Sequence, residues 1–286
     1  MHYVNAKSIL SAKNGMNLYR GCTHGCIYCD SRSKVYNMNH EFEDIEVKEN
    51  ALELLKRDLL KKDRCMIGTG SMTDPYVPIE KNLKYVRRSL VLIERYGFGF
   101  TCITKSDLVL RDLDLLKKVN EKSKAVVQMT LTTADDELCR ILEPGVCVTS
   151  RRIEVLDTLK NEGIPTVVWL CPVLPYINDT FENIDSILDS CISAGVKGIL
   201  CFGMGMTLRE GNREYFYKKL DEDFPGLKNR YIEEFGNSYA ITSKNNKELM
   251  DLFYSKTGKH GILNNPSDIF DYLADFPDKS VQTTLL

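Results

Sequence analysis

The chain has 286 residues, enough for one large α/β body with a small appendage and too few for three ordinary domains. Its 43% hydrophobic and 27% charged residues exclude a disordered or fibrous chain. A formal net charge of −2 excludes nucleic-acid recognition by overall basicity, so such a partner needs a local patch. Ten cysteines without a signal peptide point to reduced thiols in the cytoplasm. No stretch reaches the eighteen or so apolar residues of a membrane span.

In chain order, the first strand is expected at 17–19 and leads into a cysteine-rich loop. Beyond it, short β-branched apolar runs alternate with longer amphipathic stretches, the pattern of βα units and a mainly parallel sheet. The pattern predicts strands over 64–67, 98–104, 126–132, 166–170 and 198–202. Helices are expected over 48–61, 83–96, 110–118, 150–161 and 180–194. Gly97, Gly163 and Gly195 stand where helix C-caps belong. Lys81, Lys84, Arg87 and Arg88 recur at near-helical spacing, as on the solvated face of an ordinary helix.

Six such repeats make a barrel or open sheet, with the site expected on the loops that follow the strands. From Thr207 onward the repeat stops and turn signals appear at Asp223-Phe224-Pro225-Gly226 and Asn264-Asn265-Pro266. The expectation is a partial (β/α)6 TIM-type barrel over 1–206 and a mainly helical C-terminal region over 207–286, ending in a frayed tail.

Cys22, Cys26 and Cys29 form a CxxxCxxC triad in one loop, with Gly25 permitting a tight turn. Three thiolates on a [4Fe–4S] cube leave one iron open to another ligand. S-adenosylmethionine (SAM) can chelate such an iron, and one-electron reduction then releases a 5′-deoxyadenosyl radical. The other reading is a zinc site completed by His24 or a distant cysteine, although no second CxxC or HxxxH is present.

Residues 15–33, with Gly21, the triad, Tyr28 and Asp30, resemble the radical SAM proteins related to spore photoproduct lyase. Gly70 to Tyr76, Ile103 to Ser106, Glu143-Pro144 with Arg151-Arg152, and Pro172 to Asp179 follow in that family's order. The resemblance covers about residues 14 to 205. It implies a radical SAM enzyme that cleaves SAM reductively at a [4Fe–4S] cluster, served by an electron donor such as flavodoxin or ferredoxin.

The resemblance places Thr73, Lys105 and Thr130 against SAM, Tyr28 near its adenine, and Arg152 toward SAM or an anionic substrate. The residue types suit these roles, since an ammonium can meet the SAM carboxylate and hydroxyls can bond its oxygens. Each also has a plain alternative: a turn before Asp74-Pro75, a loop charge, a strand threonine, a core tyrosine, a helix-face arginine. Asp74 and Asp179 are rim residues that serve as polar contacts or caps.

Spore photoproduct lyase returns a hydrogen atom from a cysteine three residues before the second-strand Asp, where this chain has Ser71. A hydroxyl cannot replace that thiol, so a different reaction is expected, with Cys65 the nearest thiol on the same strand. The catalytic residues are unassigned. DNA or another nucleotide-containing molecule is the leading substrate class, with a peptide or small metabolite as the alternative and a zinc-stabilised nucleic-acid adaptor as the non-enzymatic one. Cys139, Cys147, Cys171 and Cys201 are read as buried apolar residues, a second cluster being the alternative. The terminal Gln282, Leu285 and Leu286 resemble the short peptides with which bacterial DNA-processing proteins dock on the sliding clamp.

Overall fold

The structure, a computed structural model, describes residues 1–279. The clamp-like residues Gln282 to Leu286 lie outside the described residues.

The N-terminal segment builds a small three-stranded sheet that periodicity did not indicate. β1 (His2–Val4) and β2 (Tyr19–Arg20) flank β3 (Glu46–Lys48), the first parallel and the second antiparallel to it. The expected strand at 17–19 does not extend the main sheet. Its predecessors Asn14 to Met16 touch the sheet as an isolated bridge, with Met16 N–H donating to the Gly68 carbonyl at 2.6 Å. The chain then turns away into β2 and on into the cysteine loop.

The main sheet is parallel and five-stranded: β4 (Met66–Thr69), β5 (Gly99–Thr104), β6 (Ala125–Thr130), β7 (Thr166–Trp169) and β8 (Gly198–Leu200), in that spatial order. All six residues of β6 are buried, as a parallel strand covered on both faces requires. Its register sets Thr130 beside Trp169 and Thr104 beside Met129, so the strand ends align on one rim. With the Met16 bridge, this is the partial barrel expected.

The connecting helices are α1 (Ala51–Leu59), α2 (Glu80–Leu83), α3 (Tyr85–Tyr96), α4 (Leu113–Lys122), α5 (Asp136–Leu142), α6 (Thr149–Asn161) and α7 (Phe181–Ser193). The α3 C-cap falls at Gly97 with φ 74°, and Gly163 and Gly195 follow α6 and α7 with positive φ, as the sequence indicated. Asp135 caps α5 and Thr180 caps α7 by accepting from N–H groups of the first turn. Lys81, Lys84 and Arg88 are exposed, and Arg87 pairs with Asp112 and Asp114.

Beyond β8 the chain is mainly helical but adds a strand pair. β9 (Gly205–Thr207) pairs antiparallel with β10 (Ala240–Thr242), and α8 (Asn212–Asp223) and α9 (Leu227–Phe235) fill the interval. α10 (Asn246–Lys259) packs on α7, and α11 (Pro266–Ala274) covers β8. Phe216, Tyr231 and Ile241 are buried in one cluster with Cys26, Ile27 and Tyr28, so this region supports the cysteine loop directly. Each such apolar side chain contributes about 1.5–3 kcal/mol on burial. Among the described residues no helix is long and apolar enough to cross a membrane.

Candidate active site

The cysteine loop leaves β2 and runs across the rim of the main sheet. Cys22 N–H donates to the Phe42 carbonyl at 2.9 Å, and Ile27 N–H donates to the Leu142 carbonyl at 3.0 Å. Gly25 adopts φ +70°, the turn conformation expected there. Gly145 is required by close approach, because a Cβ at that position falls 2.7–2.8 Å from backbone atoms of His24. The loop is thus pinned from both sides.

All three triad cysteines face one cavity of about 140 Å³, together with His24, Thr73, Asp74, Lys105 and Thr130. The Thr73 hydroxyl in it is buried without a hydrogen-bond partner. Burial pushes the Cys22 thiol up to about 12, with Asp74 adding to the effect, and burial likewise raises Cys26. Coordination to a metal removes such protons outright.

A zinc ion holds thiolates at about 2.3 Å, which brings the sulfurs within about 4 Å of one another. Among the described residues, the only three-ligand group whose atoms all lie within 4.8 Å is His2, His40 and Asp44. The triad and His24 therefore do not converge on a single ion, and Cys139, Cys147, Cys171 and Cys201 do not either. Three thiols spread around a cavity with an orphaned hydroxyl and an ammonium fit a cube-shaped cluster with a ligand on its open corner.

Lys105 leaves β5 toward this cavity, and its Nζ lies 5.7 Å from the Tyr28 ring centroid. Burial opposes its charge, but attraction to Cys26, Glu143 and Cys29 outweighs burial and holds the ammonium above its ordinary range. Asp74 fixes the segment. Its carboxylate accepts from Lys105 N–H, Thr104 Oγ1 and Tyr76 N–H, each at 2.8 Å, and its Oδ2 lies 3.4 Å from His24 Nδ1. Burial lowers the His24 pKa, so this imidazole is neutral at pH 7.

Behind the cavity lies a network that the sequence did not reveal. Tyr28 donates its phenol proton to Glu143, and Glu143 Oε2 meets Arg152 NH1 at 2.5 Å with both side chains fully buried. Arg152 also donates to the carbonyls of Cys147 at 2.9 Å and Thr130 at 3.0 Å. Burial alone raises the Glu143 carboxyl, but Arg152 and Lys105 overcome it and hold the group below its usual value. Arg152 lines neither cavity, so the structure places it behind the site instead of facing a ligand. Arg151 points outward to Asp107 and Glu154. Asp179 is spent on Tyr176 N–H and Ser243.

A second cavity, about 740 Å³, adjoins the first and shares Cys29, Ser71, Lys105 and Thr130 with it. Tyr28 and Asp30 line it on the cysteine side. Trp169, Cys171, Phe202 and Met204 form the far wall, closed by Met206 and Ile241 of β9 and β10. Trp169 and Phe202 stand with ring centroids 6.0 Å apart, and the indole N–H donates to Gln128 at 2.8 Å. Ser71 thus faces the space where a donor thiol was sought. Cys65 lies before the start of β4 and lines neither cavity, whereas Cys171 lines the large one.

Residues 16–189, more than half of the chain, match the family model described as the radical SAM superfamily. The chain therefore belongs to that superfamily, whose members are enzymes working with a [4Fe–4S] cluster and SAM. It is 29% identical over 225 residues to an uncharacterized protein of Mycobacterium tuberculosis, covering 76% of this chain and 66% of that one. The chain thus spans just under two thirds of that relative. It is also 27% identical over 182 residues to the radical SAM Nα-GlyT isomerase of Pseudomonas phage M6, covering 63% and 36% of the two chains. Spore photoproduct lyase complexed with dinucleoside spore photoproduct shares its fold, with a TM-score of 0.63 and 13% identity over 92% of this chain and 80% of that one.

Proposed function

We propose that the chain is a SAM-cleaving radical enzyme acting on a planar, nucleotide-related group held in the large cavity. The carrying observation is the contiguity of the two cavities, one lined by the triad and the other by Trp169 and Phe202, with Cys29, Lys105 and Thr130 in common. When bound, the cluster and SAM supply one-electron cleavage to methionine and a 5′-deoxyadenosyl radical.

The chain's own residues divide the remaining work. Cys22, Cys26 and Cys29 hold the iron through their thiolates. Lys105 meets the SAM carboxylate, and the Thr73 and Thr130 hydroxyls bond its polar atoms, in keeping with their places on the small cavity. Tyr28 walls the adenosine side. Glu143 and Arg152 act as positioning residues that fix Tyr28 and the Thr130 carbonyl.

A nucleotide-related substrate is supported by the aromatic wall and by the dinucleoside held in the lyase of the same fold. Ser71 argues for a reaction other than that lyase's, because an O–H bond is too strong to give up its hydrogen atom to a carbon radical. An electron donor of the flavodoxin or ferredoxin type completes the cycle.

The test is anaerobic reconstitution followed by dithionite reduction with SAM. The expected results are about four irons per chain, an absorption band near roughly 400 nm, and 5′-deoxyadenosine whose yield rises with nucleosides or oligonucleotides. Absence of iron and of SAM cleavage would overturn the reading. A rise with peptides alone would overturn the substrate class only.

A further inference from the structure

We propose that His2, His40 and Glu46 form a binding site for one divalent transition-metal ion of the zinc type, separate from the cysteine triad, with Asp44 holding the His2 ring from behind. One ligand atom each from His2, His40 and Asp44 lies within 4.8 Å of the other two. Glu46 adds a carboxylate oxygen 4.0 Å from His2 Nε2 and 3.8 Å from His40 Nε2.

The hydrogen bonds around the rings fix what those nitrogens offer. His40 Nδ1 sits 2.9 Å from the Glu41 carbonyl, and a carbonyl can only accept, so Nδ1 carries the proton. By the same logic His2 Nδ1 donates to Asp44 Oδ2 at 2.8 Å. The Nε2 of each neutral ring is then a lone pair, and both face the Glu46 carboxylate, which is itself an acceptor. Those separations are too long for hydrogen bonds. His40 Nε2 is buried without any partner. Acceptors that face one another across a gap are satisfied by a cation, and an imidazole anchored through its other nitrogen to a carbonyl or carboxylate is the usual support of a metal ligand.

Two imidazoles with one carboxylate are a donor set suited to zinc and its neighbours, not to a hard cation such as magnesium. Ligands at about 2.0–2.2 Å in a tetrahedron lie about 3.4 Å apart, so closure takes shifts of about 1 Å. The side chain of His2 is 37% exposed, which leaves room for such a shift. The Met1 ammonium also meets Asp44, as the competing cation on the outer side. The ion would tie β1 to the loop before β3, whose Phe42 carbonyl holds the Cys22 N–H. It would stiffen the approach to the first triad cysteine.

The experiment uses cluster-loaded protein with its own N-terminus and no polyhistidine tag, so that iron already fills the triad. Zinc is titrated by calorimetry, and bound metal is counted after equilibrium dialysis. One saturable zinc per chain is expected, with affinity at least about tenfold weaker in His40→Ala and in Glu46→Gln. If His40→Ala folds poorly, His2→Ala on the part-exposed strand reads the same loss. Zinc should also raise the unfolding midpoint of the wild type and not of the variants. Absence of saturable zinc binding, or equal affinity in wild type, His40→Ala and His2→Ala, would overturn the proposal.

Discussion

Replacing Arg152 by Met tests the network behind the cavity. The substitution keeps the apolar stem but removes an ion pair of 2.5 Å between two fully buried groups, together with bonds to the Cys147 and Thr130 carbonyls. Breaking a buried pair from one side costs about 3–5 kcal/mol, because the remaining charge is left uncompensated. Lys105 still attracts Glu143, which argues for the middle of that range, about 4 kcal/mol. At an m-value of about 3 kcal/mol/M the urea midpoint should fall by about 1.3 M.

The pH dependence has a definite sign. In the wild type the Glu143 carboxyl is held below its usual value, so its contribution is complete above the unfolded pKa and is lost as pH falls through the folded one. In the variant burial becomes the dominant influence and raises the carboxyl, so the variant gains relative stability when Glu143 protonates. The deficit should therefore shrink between pH 8 and pH 5. The double variant Arg152→Met/Glu143→Gln should recover at least about 2 kcal/mol of the sum of the single losses. Urea melts followed by far-UV circular dichroism decide it. A single-variant midpoint within about 0.2 M of wild type, or strictly additive losses, would refute the reasoning.

Lys105→Ala should weaken SAM binding to the cluster-loaded protein at least about tenfold, the worth of a charge-assisted hydrogen bond, with iron content unchanged; equilibrium dialysis with labelled SAM measures it. Burial pushes the Cys171 thiol up to about 12, so its alkylation by N-ethylmaleimide should rise about tenfold per pH unit from 8 to 11. Mass spectrometry of that peptide would contradict this by showing a plateau below pH 10. Arg111→Ala should cost about 3–5 kcal/mol, because it strips the fully buried Glu80 of a 2.7 Å ion pair while Tyr19 and two backbone N–H groups still point at the carboxylate. A midpoint shift in thermal unfolding reports it.

Much of the barrel could be read from local pattern, because β-branched runs at 98–104 and 126–132 and the glycines that end α3, α6 and α7 are local signals. The triad was legible from its three-then-two spacing, whereas Thr73, Lys105 and Thr130 followed only from the family resemblance; all six residues line one cavity. The two- and three-residue strands of the N-terminal sheet and the β9–β10 pair carry no readable period. Glu143 entered only as part of the resemblance, without a role, because its partner Tyr28 is 115 positions away. The only hint was a glutamate before a proline, with an arginine pair a few residues on. Asp74 was seen only as a rim contact or cap, yet its carboxylate holds the backbone that carries Lys105. Arg152 was expected to face a ligand because a long cation after a turn reads as exposed, and nothing local announces a carboxylate buried beneath it.

The family match ends at residue 189, whereas the large cavity draws Phe202, Met204, Met206, Ile241 and Asn246 from farther along the chain. The cavity is thus walled from two stretches of the polypeptide, Trp169 and Cys171 from within the match and these five from beyond it, meeting only in space. If the large cavity takes the substrate as proposed, the stretch from 202 to 246 is the part of its wall that can be exchanged between relatives without altering the cysteine loop's own residues.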